Sequence, residues 1–385
     1  MDKRVYFLMV ISFIVGMVEL IIGGILDLIA ADLHVSLGEA GLLITIFSLI
    51  LAIAGPILLV LTAKVERKQL TTVFLVFFFI GNLITVFSPN YTILFLGRIV
   101  SALSASLLII LCLVMAPTIV DPKYRGRAIG IVSMGVSASL VLGVPLGLIL
   151  GNSFGWRAPF VLISLLALLS ILGVILFMDK VEPRPSIPLS KQLASLKNRK
   201  IFFAQSTTFL FMAGHTTLYA YLTPFLKTTM GMQGTWVSAA YLIFGIAAVT
   251  GGGFGGTLAD LIGTKQTILS VIILFAIAIF AIPYTTFALV LFLLLMVIWG
   301  MMSWAMSPAM QSYLIETSPE TSDIQQSLNN SSLHFGIAIG SLIGGIVIGH
   351  FSVEHNALVG GILVLLSLGT ALISMHEKAT VAKRM

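Results

Sequence analysis

The stretch Val15-Gly-Met-Val-Glu-Leu-Ile-Ile-Gly-Gly-Ile-Leu-Asp27 decides how this chain is read. It lies inside an apolar run from Val5 to about Ala31. About 20 apolar residues in a helix span the hydrocarbon core of a bilayer. Glu19 sits in the middle of the run, where a carboxylate costs several kcal/mol unless it is neutral, paired or in a wet cavity. Gly16 lies three residues before Glu19 and Gly23 four after it, so the three share one helix face. Glycines let a neighbouring helix approach closely. The face carrying Glu19 therefore points into a bundle. Two roles are open: a proton or substrate site, or a protonated carboxyl that hydrogen-bonds the next helix. Intramembrane acids favour the first.

Working outward, 58% of the 385 residues are hydrophobic and 9% charged, against about 25% charged in a soluble domain. The chain reads as a polytopic membrane protein. Lys3 and Arg4 precede the first run as in a secretory leader, but the run is too long, lacks an obvious cleavage site and is followed by more spans, so it is read as a retained helix. The net charge of +6 does not point to nucleic acid, because the basic residues lie in loops between spans. A lone cysteine, Cys112, excludes an intrachain disulfide and a multi-cysteine metal site, and reads as a small buried apolar residue.

Twelve spans are expected, over 5–30, 39–62, 69–88, 92–118, 127–151, 157–177, 201–225, 235–258, 266–284, 287–312, 327–349 and 356–375. The even loops and both termini hold 18 of the 21 Lys and Arg residues, among them Arg184, Lys378, Lys383 and Arg384. The odd loops hold only Arg157 and Lys227, and Arg98 is intramembrane. That asymmetry places both termini in the cytoplasm. Residues 179–200, with Pro183, Pro185 and Pro188, form a basic, partly amphipathic cytoplasmic linker between bundles 1–178 and 201–385. Gly55 to Lys68 follows span two and Gly252 to Lys265 follows span eight, as in parallel repeats.

Gly256-Thr-Leu-Ala-Asp260-Leu-Ile-Gly263-Thr-Lys265 resembles the signature loop of the major facilitator superfamily. The resemblance implies an all-α membrane fold of 12 transmembrane helices in two six-helix pseudo-repeats, with a substrate site between them near the midplane. It also implies that Asp260 caps a helix end and latches the cytoplasmic side, with Gly263 and Lys265 shaping the turn. The first-half copy departs from the pattern: Ala63 stands for the Asp, Leu59 and Glu66 for the glycines. Glu66 is a possible substitute. Gly97-Arg98-Ile-Val-Ser-Ala resembles the Arg motif of the same superfamily. At 1.5 Å per residue, Glu19 and Arg98 both lie roughly 20 Å above the cytoplasmic face. Arg98 is expected either to hold Glu19 ionised in one state and release it in another, or to form a static pair, or to snorkel outward. Gly143-Val-Pro145-Leu-Gly147, with Gly135 upstream, resembles the antiporter signature, and Phe154-Gly-Trp156-Arg157 fits the exporter branch of twelve-span drug/proton antiporters.

Span seven carries Gly214-His-Thr-Thr-Leu-Tyr-Ala-Tyr221, with His215 again about 21 Å up. His215 is a proton carrier, a hydrogen-bond partner for a polar ring, or a residue bonded to the next helix. Trp299 to Tyr313 contains Trp304 and Gln311, and Ile324 to His334 contains Asn329 and Asn330. Their aromatic faces and amides suit a flat heterocycle, or line interfaces and kinks. Together with the Glu19 stretch of span one, these segments resemble bacterial purine base and nucleoside efflux pumps of the drug/proton antiporter branch, although Asp27 stands where that branch usually has proline. The resemblance implies proton-driven export from a bacterial cytoplasmic membrane. Glu19 and Arg98 would couple the proton, and His215, Tyr219, Trp304, Gln311 and Asn329 would contact substrate. Partners are a small molecule, protons and lipid, with no nucleic acid, and the chain is expected to be a monomer. Rivals are a same-fold exporter of sugars or amphipathic drugs, and a non-transporting scaffold or sensor. An enzyme, a cofactor or a metal is not expected: Gly251-Gly-Gly-Phe-Gly-Gly256 lacks the Lys-Ser/Thr ending of a phosphate loop.

Overall fold

The computed structural model describes residues 2–183 and 188–377. Arg184, Pro185, Lys378, Lys383 and Arg384, used above for the linker and the loop charges, lie outside the described residues. In hydrocarbon every backbone N–H and C=O must be satisfied within the protein, and a helix does this locally. All regular elements among the described residues are accordingly helical.

The first six spans are α1 (Lys3–Asp32), α2 (Leu37–Leu61), α3 (Arg67–Val86), α4 (Tyr91–Met115), α5 (Arg125–Ala138) with α6 (Val144–Phe154), and α7 (Ala158–Phe177). A π turn over Ser139–Gly143 joins α5 to α6. Pro145 lies just beyond it; a proline has no N–H and its ring crowds the preceding turn, so the ladder loosens there. The linker contains a short helix, α8 (Leu189–Ser195). The second half comprises α9 (Arg199–Tyr219), α10 (Leu222–Met230), α11 (Thr235–Ile262), α12 (Thr264–Ala281), α13 (Leu289–Thr317), α14 (Ser322–His350) and α15 (His355–His376).

Among the described residues, eleven segments are long and apolar enough to cross a membrane. The twelfth, expected as one helix over 201–225, is α9 and α10. It is polar, with Gln205, Thr207, Thr208, His215, Thr216 and Thr217 in α9, and it breaks at Ala220–Tyr221. Pro224 explains the break: its ring clashes with the carbonyl four residues back, at Ala220. Ser36 and Glu39 start α2 with a reciprocal capping box, and Asn90 caps α4. Gly155 and Gly263, at φ 86° and 90°, form the turns before α7 and α12 that a side chain would strain.

By contact the chain forms two compact units, Met1–Ser186 with Ala220–Leu242, and Ile187–Tyr219 with Ile243–Met385. The break in span seven coincides with a unit boundary. In the first unit, Gly97 lies against Gly81 and Thr85, so α3 and α4 meet nearly backbone to backbone. In the second, Gly214 of α9 and Gly360 of α15 do the same. Such contacts replace the hydrophobic drive that lipid removes. Cys112 is fully buried in α4.

Candidate functional site

The polar groups collect in three places. The first is around Glu19 in the first unit. Arg98 of α4 is fully buried, and its Nη1 donates to the carbonyl of Val18 at 2.9 Å, one residue before Glu19. Its guanidinium carbon lies 4.1 Å from the centre of the Phe47 ring, a cation–π contact. Its Nε and Nη2 are buried and find no hydrogen bond among the described residues. Glu19 is half-buried and interacts with Arg98 through space. A guanidinium excluded from water and only partly bonded is costly, and the Glu19 carboxylate is the charge at hand.

The Gly143-Val-Pro145-Leu-Gly147 segment, at the junction of the π turn and α6, packs against α1 beside Glu19. Gly143 faces the Met17 side chain, and Gly147 faces Ile21, the residues two before and two after Glu19. Gly16 faces Ser139 in the π turn. Glu19 is thus flanked by a helix whose ladder is irregular, and π turns of this kind are frequent at functional sites.

The second place is an aromatic cluster in the second unit. His215, Tyr219, Phe244 and Trp299 lie within 4.9 to 6.2 Å of one another, centre to centre. His215 lies within 22° of parallel to Tyr219 and 18° to Phe244, whereas Trp299 stands at 58° to His215. Phe275 closes the cluster from behind at 5.8 Å from His215. His215 is 6% exposed and Trp299 fully buried, yet among the described residues neither His215 Nδ1 nor Trp299 Nε1 has a hydrogen-bond partner. The sequence pointed to His215 and Tyr219. Phe244 and Phe275 carried no local signal, because 25 phenylalanines are spread along the chain.

The other expected substrate residues lie elsewhere. Asn329 is buried and donates its amide to Gln205 Oε1 at 3.1 Å and Thr208 Oγ1 at 2.8 Å, tying α14 to α9. Trp304 is half-buried. Gln311 is exposed, donates to Ser307 Oγ and accepts from Gln326 at its backbone oxygen.

The third place is where the C-terminal end of α1 meets α10 and the start of α11 within the first unit, and its pairing was not foreseen. Asp27 and Lys227 pair at 2.5 Å. Thr223 donates to the Gly24 carbonyl at 3.0 Å and Tyr241 to the Gly23 carbonyl at 3.2 Å. Glycines leave those helix carbonyls bare for a second donor. Close by in sequence, Asp32 accepts from Trp156 Nε1 and Arg157 Nη1 at 2.8 and 2.7 Å, and Arg157 also donates to the Ser88 carbonyl.

At the expected latch positions, Asp260 and Lys265 are exposed and make no ion pair among the described residues. Thr264, between them, donates to Glu316 at 2.8 Å. In the first-half copy Glu66 caps α3. Burial alone would raise its carboxyl, but the backbone N–H groups of Val181, Gln69 and Lys68 outweigh that and hold it below the usual range. Glu66 thereby fastens residue 181 of the linker to the start of α3.

The description Major Facilitator Superfamily belongs to the family whose pattern matches residues 8–332. The uncharacterized MFS-type transporter YbcL of Bacillus subtilis (strain 168) is 34% identical over 375 residues, 97% of this chain and 96% of that protein. A protein of Mannheimia succiniciproducens named probable sugar efflux transporter is 27% identical over 95% of this chain and 92% of its own. Among solved structures, a bacterial homolog of the human lysosomal transporter Spinster, inward-facing and occupied, superposes with a TM-score of 0.80 at 18% identity, covering 97% and 96% of the two chains. That likeness is one of fold.

Proposed function

The chain belongs to the major facilitator superfamily as a multi-pass membrane transporter, and from that premise we propose that it exports small polar heterocycles, purine bases or nucleosides foremost, by proton-coupled alternating access. The observation that carries the proton step is Arg98, buried, bonded to Val18 and short of partners, beside the only acid in the middle of α1. Ionised, Glu19 compensates the guanidinium. Protonated, it leaves the cation to seek backbone carbonyls and the Phe47 ring. The two states differ in where a buried charge is balanced, and a helix with an irregular turn packs beside them. A proton can therefore bias one arrangement over the other.

The aromatic cluster around His215 supports the substrate class, since flat rings with polar edges favour a flat ligand with a polar edge. The charge asymmetry of the loops supports a bacterial cytoplasmic membrane with both termini inside. Sugar efflux is the second reading, favoured by the Mannheimia relative.

The test is efflux of adenine or hypoxanthine from loaded vesicles under an imposed proton gradient. The expected result is gradient-driven efflux that Glu19→Gln abolishes. Efflux kept by Glu19→Gln would move the proton elsewhere, and efflux of glucose in place of purine would favour the second reading.

A further inference from the structure

The aromatic cluster has more polarity than its packing uses. Buried indole N–H groups nearly always find an acceptor. In hydrocarbon a lone one has no water to turn to. Trp299 Nε1 has none, and neither has His215 Nδ1, although the two rings are 5.5 Å apart. The Ser303 hydroxyl on the next turn donates to the Gly300 carbonyl at 2.7 Å, and among the described residues its oxygen accepts from neither ring nitrogen. Phe244 and Phe275 bring no polar atom. An indole nitrogen only donates; an imidazole nitrogen donates or accepts according to its tautomer. The pair therefore complements an edge with one acceptor beside a second polar atom.

Geometry narrows the body that carries such an edge. His215, Tyr219 and Phe244 are within 35° of parallel, and Trp299 stands across them. A flat ring that slips between Trp299 and the other three exchanges ring contacts for ring contacts. A saturated ring of hydroxyls does not.

We propose that Trp299 is a specificity-determining residue, donating its Nε1–H to an acceptor on the edge of a planar heteroaromatic substrate while His215 Nδ1 bonds the adjacent edge atom. This rests on the reading of the chain as an exporter of heterocycles. It adds the residue that reads them and the edge that is read.

Binding, measured apart from transport, tests it. Labelled hypoxanthine is dialysed against the purified full chain, and against Trp299→Phe, which keeps a ring and removes the N–H. The expected loss is about tenfold in affinity, the value of one net hydrogen bond. A set of deaza analogues, each with one ring nitrogen replaced by C–H, supplies the second readout. One analogue should bind wild type as weakly as hypoxanthine binds Trp299→Phe, and lose nothing further in the variant. His215→Gln gives the same comparison for the neighbouring edge atom, and serves if Trp299→Phe fails to fold. Unchanged hypoxanthine affinity in Trp299→Phe, or losses that add for every analogue, would overturn the edge contact and leave the efflux reading standing. A wild-type chain that holds glucose and no hypoxanthine would overturn the substrate class on which it rests.

Discussion

Replacing Lys227 by Met should destabilise the joint between α1 and α10 in the first unit by a predictable amount. Lys227 Nζ and Asp27 Oδ2 lie 2.5 Å apart, with side chains 28% and 22% exposed. Asp27 Oδ1 is buried and has no hydrogen bond among the described residues. Removing one partner of a fully buried pair costs about 3–5 kcal/mol, and an exposed pair is worth about 0–1. With both side chains about a quarter exposed, Lys227→Met should cost about 2 kcal/mol, from the carboxylate left behind. The converse change, Asp27→Asn, should cost less, because a lysine stem can carry its charge outward. The double variant should lose less than the sum of the two, by about 1 kcal/mol of coupling. Thermal unfolding of the purified chain reads this as a fall of about 3–6 °C for Lys227→Met. Reversing the pair, Asp27→Lys with Lys227→Asp, should recover most of it. Equal melting of Lys227→Met and wild type, to within about 1 °C, would refute the argument. It would mean that the two hydroxyl contacts on Gly23 and Gly24 carry the joint alone.

Gly41→Ala should cost about 1–3 kcal/mol, because a methyl there runs into the Tyr221 ring and hydroxyl, and Tyr221→Phe should restore part of the loss in a melting assay. Glu66→Gln should cost about 1 kcal/mol through the lost helix cap. The Glu66 carboxyl is lower in the folded chain than its ordinary value, so its contribution is complete above that value and lost as pH falls through the depressed one. Stability measured against pH should therefore show a shallower acid limb in Glu66→Gln. Asn329→Ala should lower the melting temperature by stranding Gln205 and Thr208, with hypoxanthine affinity unchanged once folding is matched; a loss of affinity alone would place Asn329 at the substrate instead.

Much of the fold was legible because the bilayer imposes one rule on every span, and runs such as Val5–Ala31 obey it openly. The break in span seven was legible too, since Pro224 names the carbonyl it displaces, but an unbroken apolar count ran over it. Glu19 and Arg98 stood out as charges in apolar surroundings, and one length per residue brought them to one level. The aromatic cluster was half legible: His215 is rare in such a helix and Trp299 opens an aromatic stretch, whereas Phe244 and Phe275 look like any other lipid-phase residue until four helices pack. Asp27 was visible as a departure from a family pattern. Its partner lies 200 residues away, and no local spacing announces such a pair.

The π turn at Ser139–Gly143 also settles a matter of helical phase. Gly135 and Gly143 are eight residues apart, so on an unbroken α-helix they would point about 80° apart. The turn takes up one extra residue, and an effective spacing of seven brings them to within about 20°. That is why Gly135, Gly143, Gly147 and Gly151 all face α1, at Met9, Met17, Ile21 and Ile25 in succession. Deleting one residue from the turn would regularise the backbone and leave the stripe in phase, whereas regularising it with every residue kept would rotate everything before it by about 100°, presenting a different side of α5 to α1. In this helix the irregular turn is what keeps the glycine stripe straight.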